Sequence, residues 1–161
     1  MDEPLAVGDE SGIVRSGWEL AVELPDSARQ VDDILRLIAG AGIEVLAHCC
    51  YRHYSGMRLL LVSEDVEAAC VAVRAVGYKC LVNPIVRVTA AYRVGRAASL
   101  GAQLQTAGIK ILYTYVAWKD GQQAVFVLKI AQDDLAVRIL SAALAGRGSM
   151  RRSRERIGSA A

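Results

Sequence analysis

Ala107-Gly108-Ile109-Lys110-Ile111-Leu112 decides how this chain is read, because Ala41-Gly42-Ile43-Glu44-Val45-Leu46 carries the same pattern 66 positions earlier. In each copy a segment of helical apolar spacing closes before the glycine and a β-branched run comes after it. Glycine adopts the left-handed backbone that ends a helix without a Cβ clash, and β-branched residues favour the pleated strand. The hexapeptide is therefore a helix stop joined to a strand start, and its recurrence makes the chain a tandem repeat.

Working outward from the first copy, the pattern predicts strand 18–24, helix 27–39, strands 43–53 and 57–63, helix 66–76 and strand 78–82. Around the second copy it predicts strand 85–91, helix 95–106, strands 109–118 and 122–131, and helix 133–144, after which the register is lost. The order βαββαβ is the split-βαβ, ferredoxin-like arrangement, with two helices on one face of a four-stranded antiparallel sheet. The expected fold class is α+β: two ferredoxin-like repeats packed as one double module, the second lacking a clear last strand. The expected divisions are a flexible N-terminal arm 1–16, repeat one at 17–83, repeat two at 84–146 and a basic disordered tail at 147–161. Only Asn83 and Pro84 separate the repeats, too short a linker for independent movement.

Composition narrows the function. An apolar fraction of 53% is ample for a core. The net charge of +2 conceals a division, since the tail holds five arginines against Glu155 and leaves the body at −2. A mildly acidic body argues against a nucleic-acid-binding face there. No apolar run reaches the roughly 18 residues of a membrane span, and the acidic N-terminus lacks the positive start of a signal peptide, so the expected location is the cytoplasm.

Side chains with chemistry are sparse. Cys49, Cys50, Cys70 and Cys80 show no CxxC spacing, and the adjacent Cys49 and Cys50 on a strand face opposite ways, so inert or structural thiols are expected. His48 and His53, five apart on a strand, point to opposite faces and make no shared metal site. Phosphate-loop, dinucleotide, metalloprotease and nucleophile-elbow motifs are absent. No catalytic residue, metal or cofactor is expected. In the first helix, Ser27 with Gln30 fits a capping box, and Val31, Ile34, Leu35 and Ile38 form the buried stripe.

Two βαββαβ units, each with an alanine-glycine-isoleucine turn after its first helix, resemble a tandem pair of ACT domains. The resemblance rests on Ala41-Gly42-Ile43 and Ala107-Gly108-Ile109. The acidic helix openings Ser63-Glu64-Asp65 and Gln132-Asp133-Asp134 add to it. It covers about residues 17–145 and extends to the small stand-alone tandem ACT proteins that carry no catalytic domain. It implies a regulatory sensor that binds an amino acid or similar small metabolite and signals to a protein partner. The alternative is a degenerate pair serving as an assembly or interaction module without ligand.

In that family a proline-glycine step between first strand and first helix presents bare amides to the ligand. Thirteen positions before Gly108 stands Gly95, preceded by Val94; thirteen before Gly42 stands Arg29, preceded by Ala28. The resemblance thus places ligand-binding residues at Arg93, Val94, Gly95 and Arg96. In the first repeat the matching place is Asp26, Ser27 and Arg29, where the close approach that glycine permits is lost. Without a last strand in repeat two, one edge of strand 85–91 is open. Its cover is a strand from 146 onward, Ile13-Val14 folding back, or a second chain, and a homodimer is the expected cover.

Overall fold

A computed structural model describes residues 12–25, 28–54 and 56–158. Its elements run β1 (Ile13–Leu24), α1 (Ala28–Gly40), β2 (Val45–His53), β3 (Gly56–Ser63), α2 (Val66–Ala75), β4 (Cys80–Ala91), α3 (Arg96–Thr106), β5 (Ile111–Asp120), β6 (Gln123–Ile130) and α4 (Asp133–Gly158). The strands form a single six-stranded sheet in the order β2-β3-β1-β4-β6-β5. All its neighbours are antiparallel.

Both hexapeptides behave as their chemistry dictates. Gly42 and Gly108 sit at φ 74° and 72°. The Gly42 amide donates to Ala39 O at 3.0 Å and the Ile43 amide to Ile38 O at 3.2 Å; Gly108 and Ile109 repeat this on Gln105 and Leu104 at 2.9 Å. This is the Schellman ending, which satisfies the last carbonyls of a helix and brings two apolar side chains together across the turn. Ile38 and Ile43 pack in one core, Leu104 and Ile109 in another. Each strand then shifts register directly after the turn, between Val45 and Ala47 and between Ile111 and Tyr113.

The two central strands correct the expected boundaries. The strands expected at 78–82 and 85–91 are one strand, β4, which runs through Asn83 and Pro84, so the division at 83/84 falls inside an element. Proline supplies no amide. In an extended strand a residue's N–H and C=O point to the same side. The Pro84 carbonyl faces β6, where it accepts from Lys129 Nζ at 2.6 Å, and β6 pairing has already stopped at Val86↔Leu128. No ladder bond is therefore lost.

β1 starts at Ile13, five residues before the expected start, and Ile13 to Gly17 pair antiparallel with Thr89 to Ile85. The place of the missing last strand in the second half is thus filled by the N-terminal segment of the same chain. The homodimer expected above rests on an open edge at 85–91, and that edge is covered. Residues 13–16 are strand rather than loose arm, and residues 1–11 of that arm lie outside the described residues. The expected disordered tail also changes, because α4 continues to Gly158.

The Trp18↔Pro84 pair lies at the centre of the β1–β4 ladder, and the two residues are themselves 66 apart. An internal two-fold therefore passes through this pair and exchanges β1 with β4, β2 with β5 and β3 with β6. On one face the first half packs Leu20, Val22, Leu59 and Leu61 beneath α1 and α2. The second half packs Val86, Val88, Phe126 and Leu128 beneath α3 and α4. Val31, Ile34, Leu35 and Ile38 join the first core as the helical stripe predicts.

The opposite face holds a third core of Ala47, Val62, Ile85, Val125 and Val127, with Leu46, Tyr115 and Ala117 against it. Residues from the first strand of the sheet and the last share this core, so the sheet curls and its two edge strands approach each other. Among the described residues no helix is long and apolar enough to cross a membrane.

Candidate functional site

The β4–α3 turn begins directly after Ala91. The Tyr92 amide donates to Gln122 O at 2.9 Å, and its ring lies 4.5 Å from that of Trp118. The Arg96 amide then returns to Arg93 O at 3.0 Å, and Gly95 caps α3 at φ 81° with no side-chain cap. Val94 is fully exposed at 103%. The turn offers what a carboxylate needs: a helix start whose capping position has no Cβ and faces open space.

Its arginines are placed differently from the sequence expectation. Arg96 is 9% exposed and belongs to the interior rather than to the ligand side of the turn. Both Arg93 and Arg96 are already engaged with other groups of the chain. In the first half Arg29 is exposed in the first turn of α1. Asp26 and Ser27 lie outside the described residues. The two-fold keeps the Arg29 and Gly95 positions in different halves, so they form no common site.

The most buried charge-bearing side chain among the described residues was not singled out by sequence. Glu19, on the curled face of β1, has 0% exposure and accepts from the hydroxyls of Tyr113 at 2.5 Å and Tyr115 at 2.8 Å. A flat sheet would hold β5 and β1 about 14 Å apart, three strand spacings, beyond the reach of these contacts. The tyrosines on the edge strand therefore clasp the central strand and fix the curl. Burial, followed by the hydrogen bonds and charge of Glu19, holds both hydroxyls well above the usual tyrosine range. At the rim Arg58 Nε donates to Glu23 at 2.8 Å.

The thiols divide as strand alternation requires. Cys50 packs toward the helices, while burial, followed by the charge of Glu19, raises the pKa of Cys49. Cys70 and Cys80 are buried and unbridged, their sulfurs 3.1 Å apart. His48 is exposed, and His53 rests edge-on against Tyr54 at 4.3 Å. Among the described residues no group of His, Cys, Asp and Glu is arranged to hold a metal ion.

Three hollows among the described residues lie away from the Gly95 turn. A broad groove of about 640 Å³ runs between the Ala41-Gly42 turn and α2, and a shallow one of about 430 Å³ lies along α3. A smaller, more enclosed pocket of about 190 Å³ sits where the two halves meet.

No family model and no curated protein sequence matches this chain. Solved structures match it in fold. Protein BT0572 from Bacteroides thetaiotaomicron superimposes with a TM-score of 0.69 at 17% identity, over 79% of this chain and 88% of that one. The ligand-free regulatory subunit of aspartate kinase from Thermus thermophilus gives 0.59 at 12% identity, over 80% and 93%. Aspartokinase III from E. coli, solved in complex with aspartate and ADP, gives 0.53 at 10% identity, over 83% of this chain and 33% of that one. The fold is ACT-like, that of aspartate kinase regulatory regions. The α+β class and the βαββαβ-like repeats of the sequence reading agree with it.

Proposed function

We propose that this chain is a non-catalytic, cytoplasmic regulatory sensor, each half an ACT-like unit, that binds an amino acid or similar small metabolite and passes its occupancy to a protein partner. The observation that carries the reading is Gly95, held in the left-handed conformation at an uncapped helix start of an ACT-like fold. The ligand carboxylate sits at the start of α3 beside Gly95, with Arg93 and the exposed Val94 framing the turn. The likeness to a regulatory subunit of aspartate kinase supports this class of function. Arg29 in the matching place of the first half leaves one such site per chain.

Calorimetric titration of the full chain with the common amino acids tests it, with Gly95→Val beside the wild type. A binding step lost in a folded Gly95→Val supports the site, and a titration identical to that of the wild type moves it elsewhere. The second reading, an assembly module without ligand, is favoured by the burial of Arg96 and predicts no heat with any amino acid.

A further inference from the structure

Arg87 stands on β4 with its side chain only 14% exposed, and it pairs with the carboxylate of Glu64 at 3.2 Å from one guanidinium nitrogen. Glu64 is itself 63% exposed and free to swing. A guanidinium has five donors in a fixed fork, so one such pair leaves most of its donors for a ligand. Directly across the ladder from Arg87 stands Arg15. Like charges in opposite register repel, and here both raise the local positive potential. Arg87 and Glu64 line the enclosed pocket of about 190 Å³, together with Ser16, Gly17, Trp18 and Ser63. Drug-sized ligands occupy pockets of about 300 Å³ or more, so this one suits a smaller molecule.

The internal two-fold shows that this polar set is not a packing requirement. β1 and β4 correspond with an offset of 66, while β3 and β6, which follow a hairpin one residue longer in the second half, correspond with 67. The counterpart of Arg87 is Ala21, that of Ser63 is Ile130, and that of Glu64 is Ala131. At these three positions the other half is apolar. There the counterpart of Val62 is Lys129, whose ammonium is seated on the carbonyl of Pro84, the counterpart of Trp18. In the second half an ammonium of the chain itself thus occupies that carbonyl. In the first half Val62 is too short to do so.

We propose that this pocket binds the zwitterionic head of a small α-amino acid, carboxylate on Arg87 and ammonium on Glu64, with Ser16 and Ser63 at its walls. A carboxylate presents two acceptors to the fork of Arg87 and displaces Glu64 toward the ammonium. The ligand touches β1, β3 and β4 at the junction of the two halves, so its occupancy is felt by both. The site lies about 20 Å along β4 and its turn from Gly95, eight residues at strand rise giving an upper bound near 27 Å. It extends the amino-acid reading to a second place, and the two fail separately.

Amide spectra of the full chain, titrated with glycine, L-serine, L-aspartate and succinate, test the proposal. Saturable shifts at Gly17 and Ser63 with an amino acid are expected, with succinate weaker by about tenfold or more. Arg87→Gln is expected to weaken binding by about tenfold or more while Gly95→Val leaves these shifts intact. Glu64→Gln, at an exposed position, keeps the fold and abolishes the preference for amino acid over succinate. The absence of saturable shifts at Gly17 and Ser63 up to about 10 mM of every probe overturns the proposal. Unchanged affinity in a folded Arg87→Gln, or equal binding of succinate by the wild type, does so as well.

Discussion

Replacing Tyr115 or Tyr113 by phenylalanine tests whether the clasp on Glu19 holds the curled sheet. Each substitution keeps the ring and removes one hydroxyl that donates to a carboxyl group with no solvent exposure. A buried acceptor left without its donor costs about 1–3 kcal/mol. For a chain of this size each kcal/mol lowers Tm by about 2–4 °C, so each variant is expected to melt about 2–12 °C below wild type. Urea unfolding followed by circular dichroism measures the difference. Because both hydroxyls serve one carboxyl, the double variant departs from the sum of the singles by more than about 0.5 kcal/mol. Two single variants each within about 0.5 kcal/mol of wild type would refute the clasp.

The same tyrosines set an alkaline limit. Their pKa values are raised in the fold, so the neutral hydroxyl is favoured there. That contribution is fully present below the ordinary tyrosine value near 10 and is lost as pH rises above it. Wild type is expected to lose stability above about pH 10 more steeply than the Tyr113→Phe/Tyr115→Phe double variant, in urea titrations across that range. Gly42→Ala and Gly108→Ala meet no neighbouring atom and cost only the left-handed backbone, about 1–2 kcal/mol each and alike in the two halves. Unequal costs would contradict the internal symmetry. Deleting residues 1–17 strips the cover from Ile85 to Thr89. Concentration-dependent association is then expected in light scattering, beyond anything the full chain shows.

The element order was legible because the hexapeptide is local chemistry: a glycine that must be left-handed, followed by residues that must be extended. The stripe Val31, Ile34, Leu35 and Ile38 was legible for the same reason, since its spacing alone selects a face. Pro84 misled, because proline reads as punctuation unless the side on which pairing ends is known. The covering of strand 85–91 by Ile13 to Gly17 is a contact between segments about 70 residues apart and leaves only two apolar residues as its sign. Glu19 had no signal at all. An acidic residue alternating on a strand reads as solvated, and its burial follows from a curl that brings a distant edge strand over it. At the candidate site, Gly95 was legible from its distance to Gly108, but the inward turn of Arg96 depends on packing beneath α3.

The central claim, that this ACT-like chain is an amino-acid sensor, is tested most directly by thermal unfolding of the full chain against each of the twenty amino acids. At about a hundredfold over Kd a specific ligand stabilises by about 2.7 kcal/mol, or about 5–11 °C here. A saturable rise of that size is expected with one amino acid or a few of related chemistry, and no rise with any of the twenty would contradict the claim.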